Sequence, residues 1–316
     1  MCATPTGFSF NGEFCAAQGF SCQSQAQGII SGYTSGTNGI DKFPFTADGS
    51  STDIAELSQA RDSASGQSSS VSGYTSGGKI PAQVDTIDKF PFSSDSPAID
   101  VGELSPTTGI SGTAGHQSTT NGYTSGIQKF PFSSDSPATD IGELTCGRSD
   151  TAGSSSQTHG YTSGGLSFPG GPEVLAIPNV IDKFPFTSDT SSTDVGDLVQ
   201  SVRFAVGQSS TTFGYSSGGA IPTGSGDSGS VACNTIQKYP FSSDTNASDV
   251  GELASTYCGS AGQSSSTNGY RSGGKTAPAD FGPYDRLEKF PFSVDAPASD
   301  IGELANQHVL SAGQQV

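Results

Sequence analysis

The chain contains no tryptophan, one methionine and three histidines, and its 30 acidic residues outnumber its 13 basic ones. Each shortage removes a class of function. A net charge of −17 with no basic stripe argues against binding phosphate backbones, so no nucleic-acid partner is expected. No stretch is apolar and long enough to span a bilayer, so no membrane insertion is expected. The start, Met1-Cys-Ala-Thr-Pro-Thr-Gly-Phe-Ser-Phe10, lacks the basic and apolar regions of a secretory signal, and the expectation is a soluble chain made in the cytoplasm. His116, His159 and His308 form no ligand cluster, and no cofactor is expected. Cys2, Cys15, Cys22, Cys146, Cys233 and Cys258 include no Cys-x-x-Cys. They read as free thiols, with Cys15 and Cys22 the best candidates for a bridge.

What the chain does have is one unit written six times. Its clearest copy is Ile236-Gln-Lys-Tyr-Pro-Phe-Ser-Ser-Asp-Thr-Asn-Ala-Ser-Asp-Val-Gly-Glu-Leu253, then Ala261-Gly-Gln-Ser-Ser265, then Asn268-Gly-Tyr-Arg-Ser-Gly-Gly274. The Lys-aromatic-Pro-Phe core recurs at Phe43, Phe90, Phe130, Phe184, Tyr239 and Phe290, spaced by 47, 40, 54, 55 and 51 residues, which are propeller-blade lengths. Gly-Tyr-x-Ser-Gly elements carry Tyr33, Tyr74, Tyr123, Tyr161, Tyr215 and Tyr270. With 43 glycines and 18 prolines, an unpatterned chain would read as disordered. The regular return of the aromatics overrides that reading and points to many short strands joined by tight turns.

Each unit divides into four short strands: Ala-Gly-x-x-Ser, Gly-Tyr-x-Ser-Gly, Ile-x-Lys-Phe-Pro-Phe and Asp-[Ile/Val]-Gly-Glu-Leu. Alternation puts Phe43 and Phe45 on one side of the third strand and Ile40, Lys42 and Pro44 on the other. Both sides are buried if neighbouring blades cover them. A proline within so short a strand implies an edge, a bulge or an unpaired N–H. Ser311-Ala-Gly-Gln-Gln-Val316 is a seventh copy of the first strand with no Gly-Tyr after it, and Tyr33 has only a degenerate first strand before it. The simplest closure inserts the C-terminal strand beside Tyr33, giving an all-β, six-bladed propeller over residues 28–316. Residues 1–27 stand outside the repeat as a docking segment.

The repeat accounts for most of the acidity: three acids and one lysine per unit make 18 acids less 6 lysines, or −12 of the −17. In every copy Asp-x-x-x-x-Asp joins the third and fourth strands, as in Asp48/Asp53 and Asp244/Asp249. These carboxylates read as acceptors for their own turn's backbone. Calcium is the weak alternative, best placed on Asp244, Asn246 and Asp249. Glu56, Glu103, Glu143, Glu252 and Glu303 are expected to pair with Lys42, Lys89, Lys129, Lys238 and Lys289 across adjacent strands.

The order of arginine, glycine-bearing strand, Gly-Tyr-x-Ser-Gly-Gly, variable loop and Asp-Lys-Phe resembles the kelch repeat. Arg61, Arg148 and Arg203 stand at that family's arginine, and Gly77–Gly78, Gly164–Gly165, Gly218–Gly219 and Gly273–Gly274 at its diglycine. The absent tryptophan departs from it. The repeats more closely resemble the Lys-Phe-Pro-Phe, Asp-Val-Gly-Asp-Leu and Gly-Tyr-x-Ser-Gly-Gly repeats of bacteriophage structural proteins. That resemblance implies a virion-associated role and location, with other virion proteins, further copies of itself, or a host-surface glycan or protein as partners.

Candidate chemistry is sparse. Gly214-Tyr-Ser-Ser-Gly218 fits a nucleophile elbow, yet other copies carry Thr or Arg at the serine position, which makes it a by-product of the repeat. Gly226-Asp-Ser-Gly-Ser230 is similar to a serine-protease segment, but no histidine has surroundings that mark it as a base. An enzyme is not expected. The informative departures from symmetry are three long inserts on consecutive blades, Leu166–Asp182, Ala220–Gln237 and Lys275–Glu288, which should emerge on one face. Phe168, Leu175, Ile177, Val231, Phe281 and Tyr284 of these inserts, with Phe8, Phe10, Phe14 and Phe20 of the first segment, are the candidate partner-binding residues. A non-enzymatic virion component, in tail, fibre or capsid, is the leading reading. A carbohydrate-binding propeller and a cytoplasmic kelch-like adaptor are the alternatives.

Overall fold

Glycines let each unit reverse where its alternating segments must fold back, and the result is a four-stranded antiparallel sheet. The structure is a computed structural model that describes residues 31–80, 82–105, 112–167, 176–223, 230–276 and 284–316. The second unit shows the pattern: Ser65–Ser68 lies innermost, followed by Ser72–Ser76, Thr86–Pro91 and, outermost, Ile99–Glu103. Tyr74 stands opposite Lys89 and Gly73 opposite Phe90. Gly77 and Gly78 leave the second strand at φ 65° and 106°, a conformation that side chains resist. Each expected proline is the last residue of its third strand, while the irregularity falls earlier, between Ile87 and Asp88 in this blade.

Six such sheets make an all-β, six-bladed propeller, with no helix among the described residues. Blade 1 closes the ring as the sequence suggests. Its inner strand, Ala312–Gln315, pairs with Ser31–Pro44, placing Gly32 opposite Gln315 and Ser35 opposite Ala312. Ser31–Pro44 carries both the Gly-Tyr and the Lys-Phe-Pro segments and pairs outward with Thr52–Arg61. The turns between first and second strands share one face with the Asp-x-x-x-x-Asp links. The inserts and the blade-to-blade linkers share the other. We call these the hairpin face and the insert face.

Blades cohere through six equivalent aromatic seams. Tyr33, Ile40 and Leu57 of blade 1 meet Phe90, Phe92 and Ala98 of blade 2, and each later blade repeats the arrangement around to Tyr270, Leu287 and Leu304 against Phe43 and Phe45. The repeat tyrosine stacks on the second phenylalanine of the next blade in all six, at 4.3–4.9 Å between ring centroids. Burying one such ring contributes roughly 1.5–3 kcal/mol, so these seams dominate inter-blade cohesion.

The lysines do not pair with the glutamates of their own blade. Each instead reaches the first aspartate of the next blade's link: Lys42 to Asp95, Lys89 to Asp135, Lys129 to Asp189, Lys183 to Asp244, Lys238 to Asp295 and Lys289 to Asp48, at 2.5–3.3 Å. The period-two pattern fixed which face the lysine leaves from, but not that the face belongs to a seam. Being exposed, these pairs contribute about 0–1 kcal/mol each. The second aspartate makes the turn bond that was expected, as where Asp100 accepts from the Gly102 N–H at 3.1 Å.

The inner strands converge on the axis, and there glycine is obligatory. A Cβ on Gly66 would strike the carbonyl oxygen of Gly313, and likewise Gly115 on Gly66, Gly153 on Gly115, Gly207 on Gly153, Gly262 on Gly207 and Gly313 on Gly262. The next residue latches onto the following blade: Gln67, Gln208, Gln263 and Gln314 donate to the backbone carbonyls of Tyr123, Tyr270, Tyr33 and Tyr74 at 3.0–3.1 Å. Blades 3 and 4 depart from this. His116 replaces the glutamine in one. In the other, Ser154 is too short to reach across, and the hydroxyl of Tyr239, the one tyrosine in the Lys-aromatic-Pro core, meets it at 2.6 Å.

His116 is fully buried, with Nδ1 at 3.2 Å from the Ser154 carbonyl and Nε2 at 3.0 Å from the Thr162 hydroxyl. A carbonyl only accepts, so Nδ1 carries a proton. Burial pushes its pKa down to about 4, against the opposing effect of the Ser154 carbonyl.

Two expectations follow for stability. Gly207→Ala, which drives a Cβ into the Gly153 carbonyl, should cost roughly 1–3 kcal/mol or more, whereas Gly49→Ala, with open space around it, should change the denaturation midpoint little. His116 is depressed in the folded state, so unfolding takes up a proton as pH falls below the ordinary histidine value. Stability is therefore lost between pH about 6.5 and about 4, by on the order of 3 kcal/mol. His116→Gln, the residue that four other blades use, should flatten that part of the stability–pH curve. An unchanged slope would contradict the neutral, buried ring.

Candidate functional site: the insert face

The linkers that cross the insert face carry a second set of inter-blade latches. Arg61 donates to Asp88 at 3.0 Å and to the Thr75 carbonyl at 2.8 Å. Arg148 repeats this with Asp182 at 3.0 Å and the Thr162 carbonyl at 3.1 Å. All four ionic side chains are fully buried, so each pair depends on its own geometry and on further bonds such as Ser58 and Thr145 donating to the aspartates. Burial lowers the Arg61 pKa, and the neighbouring Asp88 opposes that shift. At the closing seam His308 occupies the arginine's place, 3.6 Å from Asp41. Burial works to raise the Asp41 carboxyl, but the His308 and Asn306 contacts prevail and hold it below the ordinary carboxylate value.

Blade 6 departs furthest. Tyr257 stands at the arginine position, two residues before Gly259 as Arg61 is before Ser63, and Arg271 replaces the Thr or Ser that follows the repeat tyrosine elsewhere. Arg271 approaches Glu288 to 2.7 Å, both fully buried, and its guanidinium lies 4.8 Å from the Tyr257 ring centroid. The cation has thus moved from the linker to the second strand, still facing the acid of the third. Burial pushes the Cys258 thiol up to about 11 despite Lys275, Arg203 and Arg271 nearby, which keeps it protonated and unreactive. Cys146, Cys233 and Cys258 are free.

Around the channel mouth on this face, six equivalent residues adopt left-handed backbone: Ser63, Gly112, Asp150, Phe204, Gly259 and Leu310, with φ between 53° and 65°. Each donates its N–H to the carbonyl of the preceding one, from Ser63 to Leu310 at 2.7 Å and Gly112 to Ser63 at 2.7 Å around to Leu310 and Gly259, so the bonds form a closed ring. Phe204 and Leu310 are half-buried there. The Arg203 guanidinium lies 4.9 Å from the Phe204 centroid and the Lys275 ammonium 5.9 Å. The floor of the mouth is a polar cavity of about 120 Å³ lined by the inner strands.

The expected site residues are only partly described. Phe8, Phe10, Phe14, Phe20, Phe168, Leu175 and Phe281 lie outside the described residues. Ile177 is half-buried, Val231 is 54% exposed on a short hairpin of Ala220–Pro222 with Ser230–Ala232, and half-buried Tyr284 stacks on Tyr257 at 4.9 Å. Val231 and Tyr284 therefore share the insert face of blades 5 and 6. The calcium alternative gains no support, because its three side chains are engaged separately: Asp244 with Lys183, Asn246 with the Asp197 N–H and Asp249 with the Gly251 N–H. Among the described residues no three His, Cys, Asp or Glu side chains come together as a metal site. Ser216 of the apparent nucleophile elbow is buried within its strand, and residues 224–229 of the other serine segment lie outside the described residues.

Sequence reasoning missed Arg271, Phe204 and Leu310. The signal for Arg271 was present, since it breaks a run of Thr and Ser at one repeat position, whereas Phe204 and Leu310 share a position with Gly112 and Gly259 only once the linkers are aligned in three dimensions.

No protein-family model and no curated protein sequence matches the chain. Its fold is similar to that of the solved structure described as "Structure of YjhT", with a TM-score of 0.63, 12% identity, and coverage of 89% of this chain and 99% of that one. At that identity the likeness concerns the propeller alone.

Removing the displaced cation with Arg271→Thr should strand Glu288 as a buried unpaired charge and cost about 3–5 kcal/mol in denaturant unfolding. Adding Tyr257→Arg, which restores the arginine of Arg61 and Arg148, should recover a large part of the loss. A single variant that unfolds at the wild-type midpoint would show that the pair contributes nothing.

Proposed function

We propose that this protein is a non-enzymatic structural component of a bacteriophage particle, in tail, fibre or capsid, whose insert face is its contact surface. The observation that carries this reading is the asymmetry of an otherwise six-fold repeat. Long inserts rise on three consecutive blades, and where described they expose Val231 and present the Tyr257–Tyr284 stack on one face. The likeness of the Lys-Phe-Pro-Phe repeats to those of phage structural proteins supplies the setting. The repeat's own polar groups support a structural role, since its lysines, aspartates and glutamines are engaged in joining one blade to the next.

The carbohydrate-binding alternative rested on one aromatic per blade as a sugar platform. All six repeat tyrosines are no more than 2% exposed and stack inside the seams, which removes those platforms. Cryo-electron microscopy of the particles from which the protein is recovered tests the proposal. A propeller density seated through its insert face is the expected result, and particles that lack the protein would refute it.

A further inference from the structure

Between blades 4 and 5 the glutamine latch is missing, but the groups that it serves in other seams are kept. In two of those seams the amide nitrogen of the glutamine sits among three oxygens. Gln314 Nε2 reaches the Ser35 hydroxyl of its own blade and the Tyr74 carbonyl and Thr75 hydroxyl of the next at 2.9–3.0 Å. Gln263 Nε2 reaches the Ser272 hydroxyl, the Tyr33 carbonyl and the Thr34 hydroxyl in the same way at 2.9–3.1 Å. Between blades 4 and 5 the equivalent oxygens are the Ser163 hydroxyl, the Tyr215 carbonyl and the Ser216 hydroxyl. The latch position there holds Ser154.

Ser163 is 1% exposed and Ser216 0%, and neither hydroxyl has a hydrogen-bond partner among the described residues. The equivalent hydroxyls bond to each other, Ser35 with Thr75 at 2.7 Å and Ser272 with Thr34 at 2.6 Å. Leaving two buried hydroxyls unpaired is costly. Side-chain atoms are lost at the same place. Ser154 ends in a hydroxyl where glutamine continues through a methylene to its carboxamide, and Ser216 lacks the methyl of threonine. Tyr239 returns a single oxygen, which Ser154 meets at 2.6 Å. Burial holds that phenol protonated, with its pKa well above the ordinary tyrosine value, while Ser154 and Ser163 oppose the shift. Ser163 thus lies beside the phenol without bonding geometry. More atoms are removed than added, and the walls left behind are neutral hydroxyls and a carbonyl.

Dry cavities in proteins are apolar, whereas an enclosed space with about two to four polar partners takes water. An ion does not suit these walls, because none of them carries a compensating charge. We infer that one buried water molecule joins blades 4 and 5 at the place of the missing amide nitrogen, held by the Ser163 and Ser216 hydroxyls and donating to the Tyr215 carbonyl. Unlike the amide nitrogen, water accepts as well as donates, so both serine protons find a partner. A bound molecule then makes the latch that a side chain makes elsewhere. Ser154, Ser163, Ser216 and Tyr239 are no more than 2% exposed, so the water exchanges only when the seam opens.

The test is a high-resolution crystal structure of the full chain, beside that of the variant Ser154→Gln with Ser216→Thr and Tyr239→Phe, which writes the commoner repeat residues into this seam. The wild type should show one ordered water within about 2.7–3.2 Å of Ser163 Oγ, Ser216 Oγ and the Tyr215 oxygen. The triple variant should show the amide there and no water. Ser163 and Ser216 bonded directly to each other in the wild type, with no density between the blades, would overturn the inference. In solution, Ser163→Ala and Ser216→Ala separate the two cases by sign. Hydroxyls that hold a water lose a hydrogen bond on truncation and the unfolding midpoint falls, whereas removing unpaired hydroxyls raises it. A lower midpoint in each variant is expected, and a midpoint unchanged or raised in either would contradict the bound water.

Discussion

Everything in this propeller depends on how closely six inner strands can approach one axis. Each axial glycine sits against the carbonyl of its neighbour in a circle that returns on itself from Gly313 to Gly66, and no other residue fits. That approach sets the tilt and spacing of the blades. It also brings the tyrosine of one blade onto the phenylalanine of the next and places the glutamines where they reach a neighbouring carbonyl. A six-fold array of individually modest contacts becomes cooperative because the closed ring gives every blade two neighbours and leaves no open end. The ring of left-handed N–H to carbonyl bonds at the insert mouth expresses the same constraint in hydrogen bonds.

On this frame the two faces have separate duties. The hairpin face is nearly uniform, blade after blade showing the same tight turn, the same lysine–aspartate contact and the same acidic link. Its uniformity and charge keep it solvated. Variation is concentrated on the insert face, in the inserts and in the residues that make up the linkers. Blade 6 shows how far the variation runs. The buried cation there has moved from the linker to Arg271, with Glu288 lengthened to meet it and Tyr257 filling the vacated place. Such a rearrangement keeps the seam's charge balanced while changing the shape around Tyr257 and Tyr284.

Much of the fold was legible in the sequence, for a physical reason: a repeat states its own register. The returns of Phe43 to Phe290 gave the number of blades, and the solitary Ser311–Val316 strand gave the closure. Alternation separated Phe43 and Phe45 from Ile40, and these do face opposite seams. What alternation could not show is which blade receives a side chain that leaves a given face. The lysines were therefore matched to glutamates on their own sheet, when their aspartates belong to the next one. Ala-Gly-x-x-Ser reads as a strand, but the role of its glycine, close approach at the axis, appears only once six strands are brought together. Insert length placed the candidate surface on blades 4, 5 and 6. Its central residues, Phe204 and Leu310, stand out only against the glycines at equivalent positions, a comparison that needs the three-dimensional alignment of the linkers.

The claim that ring closure carries the whole structure is tested most directly by denaturant unfolding of a chain that lacks Ser311–Val316. Without this strand Gly66 and Gly262 lose their neighbour at the axis, Gly32–Ser35 loses its ladder, and Tyr74 loses the Gln314 latch. The account predicts a large fall in the midpoint together with loss of a single cooperative transition, and a truncated chain that unfolds in one step at the wild-type midpoint would contradict it.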